Sequence, residues 1–132
     1  MNILHGIIKE VRPFDHLTEV VTTINNVPVT SVIIGAWKHK SSLIIGKAIR
    51  VLFKETEVII SKDLKTPISV TNRIPSSIES IEEGPLFSKV RMNSQAGPIV
   101  ALIPSKMTAS IPLRKGDDVL CCIKMNEIIL AE

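Results

Sequence analysis

Tyrosine is absent from the 132 residues, and one tryptophan and three phenylalanines are the only aromatic side chains. Single-stranded nucleic acid is held largely by stacking bases on aromatic rings, so this chain offers a poor platform for it. Cysteine is confined to the adjacent pair Cys121 and Cys122. Two neighbouring thiols set up no disulfide framework and are too few to hold a metal. No apolar run approaches the roughly 18 residues that span a bilayer. The opening MNILHGIIKEV lacks the basic flank and small-residue cleavage site of a signal peptide. No nucleophile–base spacing, paired-carboxylate motif or glycine-rich phosphate loop stands out. The net charge of +3 is modest, and acidic and basic residues alternate along the chain. These absences lead us to expect a cytoplasmic protein that is not an enzyme and has neither a membrane nor a nucleic acid as partner.

What the chain does have is isoleucine and valine, 33 residues of 132, a bias toward strands. Eight prolines and six glycines separate short apolar runs, as in an all-β chain. It also has a repeat. The stretch GKAIRVLFKETEVII, starting at Gly46, returns as GDDVLCCIKMNEIIL, starting at Gly116. Gly46, Lys54, Glu57 and Ile59 align without a gap on Gly116, Lys124, Glu127 and Ile129. The same offset pairs Pro28 with Pro98, Ile33 with Ile103, and Ile8 with Ile78. Two tandem copies of one small domain follow, over residues 1–65 and 66–132. Units of that size bury only about 60% of their unfolded surface, so the copies should pack on each other, on neighbouring chains, or both.

In the first copy, strands are expected over residues 5–11, 18–24, 27–34, 47–54 and 56–60, with the last two forming a closing pair. Pro13 should end the first strand, Asn25-Asn26 suits a tight turn, and residues 35–40 suggest one short helical turn. In the fourth strand Ile49, Val51 and Phe53 share the core face, while Arg50, Leu52 and Lys54 point away. Leu52, with Ile59 and Ile129, leaves the outer face unusually apolar, which points to a covered surface. A polar tether over 61–69 joins the halves. The second copy repeats the layout with strands over 76–81, 86–92 and 99–103, then a short helix over 105–110 with Ser105 as its N-cap. Five strands and one short helix per copy suit a small OB-like Greek-key barrel.

The pattern S-x-x-N-R-I-P-x-x-I-x-x-I from Ser69, followed by E-E-G, resembles the opening of a TOBE or Mop domain. The stretch IPLRKGDDVLCCIKMNEIIL from Ile111 resembles its close, with a turn glycine and a lysine on the penultimate strand. The resemblance covers nearly all of copy two and, more weakly, copy one; two copies in tandem resemble a freestanding di-Mop protein. It implies molybdate or tungstate bound at interfaces between domains, no organic cofactor, and assembly into homo-oligomers, with a trimer favoured. By the same resemblance Lys54 and Lys124 take the place of the family's anion-holding lysine. Ser69 and Asn72 match the serine and asparagine of its opening motif, Thr71 stands where that motif has arginine, and Asn2 matches the asparagine in copy one. Glu55 and Met125 replace the small residue that follows the lysine. Where the family has threonine and serine after the third strand, this chain has Ile34 and Trp37, and Pro104 and Met107.

Each of these residues also has a plainer reading. Lysines at strand ends are usually solvated. Cys121 and Cys122 read as buried thiols, and His5, His16 and His39 show no metal-ligand spacing. Lys38, His39 and Lys40 with Lys47 and Arg50 form a basic cluster that reads as a solvated face or an anion trap. Trp37 reads as an interface or core plug. A Mop-fold interaction module without a ligand, or an OB-type binder of single strands, are the alternatives to oxyanion binding.

Overall fold

The computed structural model describes residues 1–34 and 43–132. The helical turn expected over 35–40, Trp37, and the basic residues at 38–40 lie outside the described residues. The chain is all-β. In order it runs β1 (Asn2–Phe14), β2 (Leu17–Ile24), β3 (Val27–Ile34), β4 (Ala48–Phe53), β5 (Ile59–Ser61), β6 (Asn72–Glu82), β7 (Phe87–Ser94), β8 (Gly97–Pro104), α1 (Ser105–Ser110), β9 (Asp118–Ile123) and β10 (Ile129–Ala131).

The repeat is structural as well as sequential. β1 and β6 are the long strands of the two sheets, and each carries an irregularity at the matching place, between Ile8 and Glu10 and between Ile78 and Ser80. A bulge there bends the strand. One half of β1 can therefore pair with β4 while the other half pairs with β2. Gly46 and Gly116, at φ 93° and 91°, make equivalent turns that favour glycine. Asn25 and Asn26, at φ 49° and 68°, make the tight turn between β2 and β3. Pro13 does not end β1: it pairs with Thr18 on the half of β1 beyond its contact with β4.

The expected closing pair within each copy does not form. The sheets run β10-β4-β1-β2-β3 and β5-β9-β6-β7-β8, so each copy gives its last strand to the other. Ile59, Ile60 and Ser61 pair with Cys122, Cys121 and Leu120, and Ile129, Leu130 and Ala131 pair with Leu52, Val51 and Arg50. The reason lies in the link between β4 and β5. A hairpin needs a turn that reverses the chain, in most short cases with positive φ. Here Lys54 (φ −71°, ψ 147°) and Val58 (φ −87°, ψ 124°) are extended on either side of a single 3-10 turn at Glu55–Glu57. The chain steps across to the other sheet. Met125–Glu127 does the same between β9 and β10.

The larger of two apolar clusters spans both copies, and the smaller gathers Ile8, Val20 and Ile49. Leu4, Ile24, Val51 and Phe53 from the first join Ile74, Val90, Met92, Val119 and Ile123 from the second in the larger cluster. Burying a side chain of this kind stabilises by about 1.5–3 kcal/mol. The core face expected for β4 is the observed one, with Ile49, Val51 and Phe53 buried. On the opposite face Ile3, Leu52 and Ile129 form one row across β1, β4 and β10; Ile3 is 46% exposed and Ile129 50%. Ser105 is the first residue of α1, not its cap: Pro104 holds the cap position. The Ser105 hydroxyl instead donates to the Gly84 carbonyl at 2.6 Å and lies 2.8 Å from the Ser88 hydroxyl.

Candidate functional site

The antiparallel register of β6 on β9 sets Asn72 opposite Ile123. Continuing that register past the strand ends brings Thr71 to Lys124 and Ser69 to Asn126. The two strand ends open there into a pocket of about 130 Å³, lined by Ser69, Val70, Thr71, Lys124, Met125 and Asn126. Lys124 occupies the N-cap position of the 3-10 turn Met125–Glu127, extended at φ −66° and ψ 141°. This turn packs against β3, so the pocket sits where the second copy meets the first. Among the described residues Lys124 makes no ion pair. Hydroxyls, an ammonium and a carboxamide are all donors, and no carboxylate lines the pocket. It is chemically suited to an anion with several acceptor oxygens.

Three of the six residues singled out in the sequence, Ser69, Thr71 and Lys124, thus meet in one place. Asn72 adjoins them but turns inward. It is 2% exposed, its Nδ2 donates to the Thr30 carbonyl at 2.8 Å, and its Oδ1 accepts from the Thr30 amide at 2.7 Å. Asn2 does the same to Val100, donating to its carbonyl and accepting from its amide, both at 2.8 Å. Thr30 and Val100 lie on β3 and β8, the outermost strands of the two sheets. Each asparagine caps an otherwise open sheet edge as a strand partner would, and it fastens one copy to the other. Asn126 was not singled out in the sequence. The signal was its place two residues beyond Lys124, where the register returns it to Ser69.

A protein of known structure shows the same architecture. The cytoplasmic molybdate-binding protein ModG, in a crystal form with molybdate bound, superposes with a TM-score of 0.92 over 98% of this chain and 94% of that one, at 20% identity. The chain has the ModG fold. A molybdate-binding protein from Sporomusa ovata matches 45% of this chain and 88% of its own, at 27% identity and a TM-score of 0.43. No family model matches the chain, and no curated protein matches it by sequence. The likeness to ModG is one of fold; what the pocket holds rests on the residues of this chain.

Lys54 lies seventy positions before Lys124, at the N-cap of the equivalent turn Glu55–Glu57. Glu55 follows it where Met125 follows Lys124, and the Glu55 Oε2 lies 3.4 Å from the Met1 nitrogen. Leu102, Ile103 and Pro104 at the end of β8, with Met107 and Ile111 beyond it, border a largely apolar cleft of about 240 Å³ closed on its other side by Thr56, Val58, Ile59 and Ile60. Ile34, at the end of β3, is 79% exposed. Cys121 and Cys122 are both buried free thiols. Burial is the main cause that pushes Cys121 up to about 11, and it raises Cys122 as well. His5 and His16 are exposed. Lys47 pairs with the Glu132 carboxylate at 2.6 Å, and Arg50 donates to the Glu132 carbonyl at 2.9 and 3.1 Å. Among the described residues no group of three or more His, Cys, Asp or Glu could hold a metal ion, and no helix is long and apolar enough to cross a membrane.

Proposed function

We propose that this protein is a cytoplasmic binder of molybdate or tungstate, used for storage, homeostasis or sensing of the anion, and not an enzyme. The observation that carries the reading is the convergence of Lys124, Ser69 and Thr71 on one pocket without a carboxylate, in a chain with the fold of a molybdate-binding protein. A tetrahedral dianion taken from water needs many donors, because an unpaired buried charge is costly. Water occupies about 30 Å³ per molecule, so about 130 Å³ accommodates an ion with four oxygens. Charge-assisted hydrogen bonds contribute about 1.5–3 kcal/mol each, and a micromolar site needs about 8 kcal/mol. Lys124, the two hydroxyls and Asn126 reach that figure together.

Ser69, Thr71, Lys124 and Asn126 are all exposed in the single chain. Full strength requires a second surface over the pocket to exclude water. The apolar row Ile3, Leu52 and Ile129 gives the chain a reason to self-associate. A homo-oligomer, with a trimer favoured, completes the proposal, and residues 1–65 and 66–132 are its repeat units. A second reading has its own support. Pro104 and Met107 make the cleft beside α1 apolar, which suits a Mop-fold interaction module that has no ligand.

Isothermal calorimetry with molybdate, tungstate, sulfate and phosphate in parallel separates the two. Heat from the first two alone supports oxyanion storage or sensing; silence from all four leaves the interaction module. Light scattering at micromolar concentration checks the assembly, and a monomer would remove the covered-pocket arrangement.

A further inference from the structure

We infer that β4 and β9 are docking edges of opposite charge, and that this charge sorts the two closing strands between the copies. The inference concerns the strand exchange and does not depend on what the pocket at Lys124 holds. The repeat aligns Lys47 with Asp117 and Lys62 with Glu132, so the sign of the charge is reversed at both positions. In the fold these four residues meet as two ion pairs between the copies. Just past β10, the Glu132 carboxylate lies 2.6 Å from the Lys47 ammonium. Just past β5, the Lys62 ammonium lies 3.4 Å from the Asp117 carboxylate. The registers are equivalent as well, with Ile129 facing Leu52 and Ile59 facing Cys122. The two latches thus share one geometry and differ in polarity.

The consequence appears when each closing strand is placed, in the same register, on the edge of its own copy. Lys62 would then meet Lys47, with Arg50, which now holds the Glu132 carbonyl, beside it. Glu132 would meet Asp117. Like charges between strands destabilise where opposite charges stabilise, so the closed arrangement turns two attractions into two repulsions. The charges nearby keep these signs. Asp63 follows Lys62, but it is exposed and its Oδ1 accepts from the Lys65 amide at 2.9 Å within its own turn. Any proton taken up by His5, opposite Arg50 on β1, adds to the positive side. Arg114 and Lys115 precede Asp117 and offset part of its charge, so the selection is sharper at β4. Partly solvated pairs of this kind shift an equilibrium by about 1.5- to 5-fold each. Two pairs kept and two repulsions avoided multiply to about fivefold or more. The charges select against the alternative pairing and act together with the extended links at Lys54 and Lys124.

The test gives one thiol a choice of partners in the full chain. Ile59→Cys faces the native Cys122 when β5 lies on β9, and Leu52→Cys supplies the thiol it would face on β4. After mild oxidation, peptide mass spectrometry on the single-chain band of a denaturing gel reads the ratio of the two cross-links. With the native charges the link from 59 to 122 is expected to dominate. Exchanging the strand ends, by Lys62→Glu with Glu132→Lys, should move the ratio toward the link from 59 to 52 by about fivefold or more. Reversing the docking edges as well, by Lys47→Glu with Asp117→Lys, should bring the ratio back. An unchanged ratio in the strand-end variant, or no return in the four-residue variant, overturns the inference. Should the strand-end variant fail to fold, recovery of the fold in the four-residue variant, by circular dichroism, supports the sorting, and failure of both overturns it.

Discussion

Asn25 and Gln95 occupy equivalent positions in the two copies, and each donates its side-chain amide to the other's backbone carbonyl, at 3.3 and 2.8 Å. Residues seventy apart meet themselves across a local twofold axis. The same axis relates the clamp of Asn2 on Val100 to that of Asn72 on Thr30 and the exchange of β5 to that of β10. The pocket at Lys124 lies beside one of these clamps, so its geometry depends on contacts between copies.

Lys124→Ala is expected to weaken molybdate binding by about 1.5–3 kcal/mol, the size of one charge-assisted bond, or about 10- to 150-fold. Thermal stability should stay as it is, because the side chain is exposed. Calorimetry beside a thermal melt checks both halves of this statement. An unchanged affinity would take the lysine out of the site.

Asn72→Ala should cost about 2–4 kcal/mol of folding stability, since two hydrogen bonds go and the Thr30 amide and carbonyl lose their partner. Asn2→Ala should cost a similar amount through Val100. Urea denaturation measures the loss. A change below about 0.5 kcal/mol in both variants would mean that solvent replaces these bonds freely.

A fragment of residues 1–65 should not fold as a monomer. Its sheet would lack β10, and its own β5 would have no β9 to pair with. Its apolar residues also belong to a core completed by the second copy. Circular dichroism and size exclusion would show an unfolded chain or a self-paired dimer; a folded monomer would contradict the shared core.

Cys121 gives stability a pH dependence at the alkaline end. Its thiol is held neutral in the fold up to about 11, against an ordinary value of 9.0. Its contribution is complete below pH 9 and is lost as the pH rises from there through 11, because the unfolded chain gives up its proton first. Two units correspond to about 2–3 kcal/mol. Comparing the protein with Cys121→Ala between pH 8 and 11 should show a smaller alkaline loss in the variant. Equal slopes would mean that the thiol does not titrate differently in the two states.

The duplication, the class of fold and the core face of β4 were legible because they are written in side chains. Ile49, Val51 and Phe53 alternate with Arg50 and Leu52, and the pattern returns at Val119, Cys121 and Ile123. The residues 27–34 and 105–110 were placed where β3 and α1 are found. The strand exchange was not legible. Ile59 and Ile60 announce a strand, but their apolar character is the same whether the neighbour is β4 or β9. Pocket members Ser69, Thr71 and Lys124 were legible only through the resemblance to a Mop domain, with Thr71 standing where its opening motif has arginine. The grip of Asn72 was not legible, because its partners are the amide and carbonyl of Thr30, and backbone groups are identical at nearly every position. Ser105 reads as a cap by type, yet Gly84 and Ser88 claim its hydroxyl through folding at long range.

The exchange of β5 and β10 also bears on how such a molecule comes to be a single polypeptide. A half-length chain with this topology has to borrow its fifth strand from another molecule, and its closure depends on how often two molecules meet. Joining the halves through a short tether replaces that encounter with an effective concentration in the millimolar range. The tandem chain can then stay closed at dilutions where separate halves would drift apart, and each half is free to change its own pocket without losing the other's support.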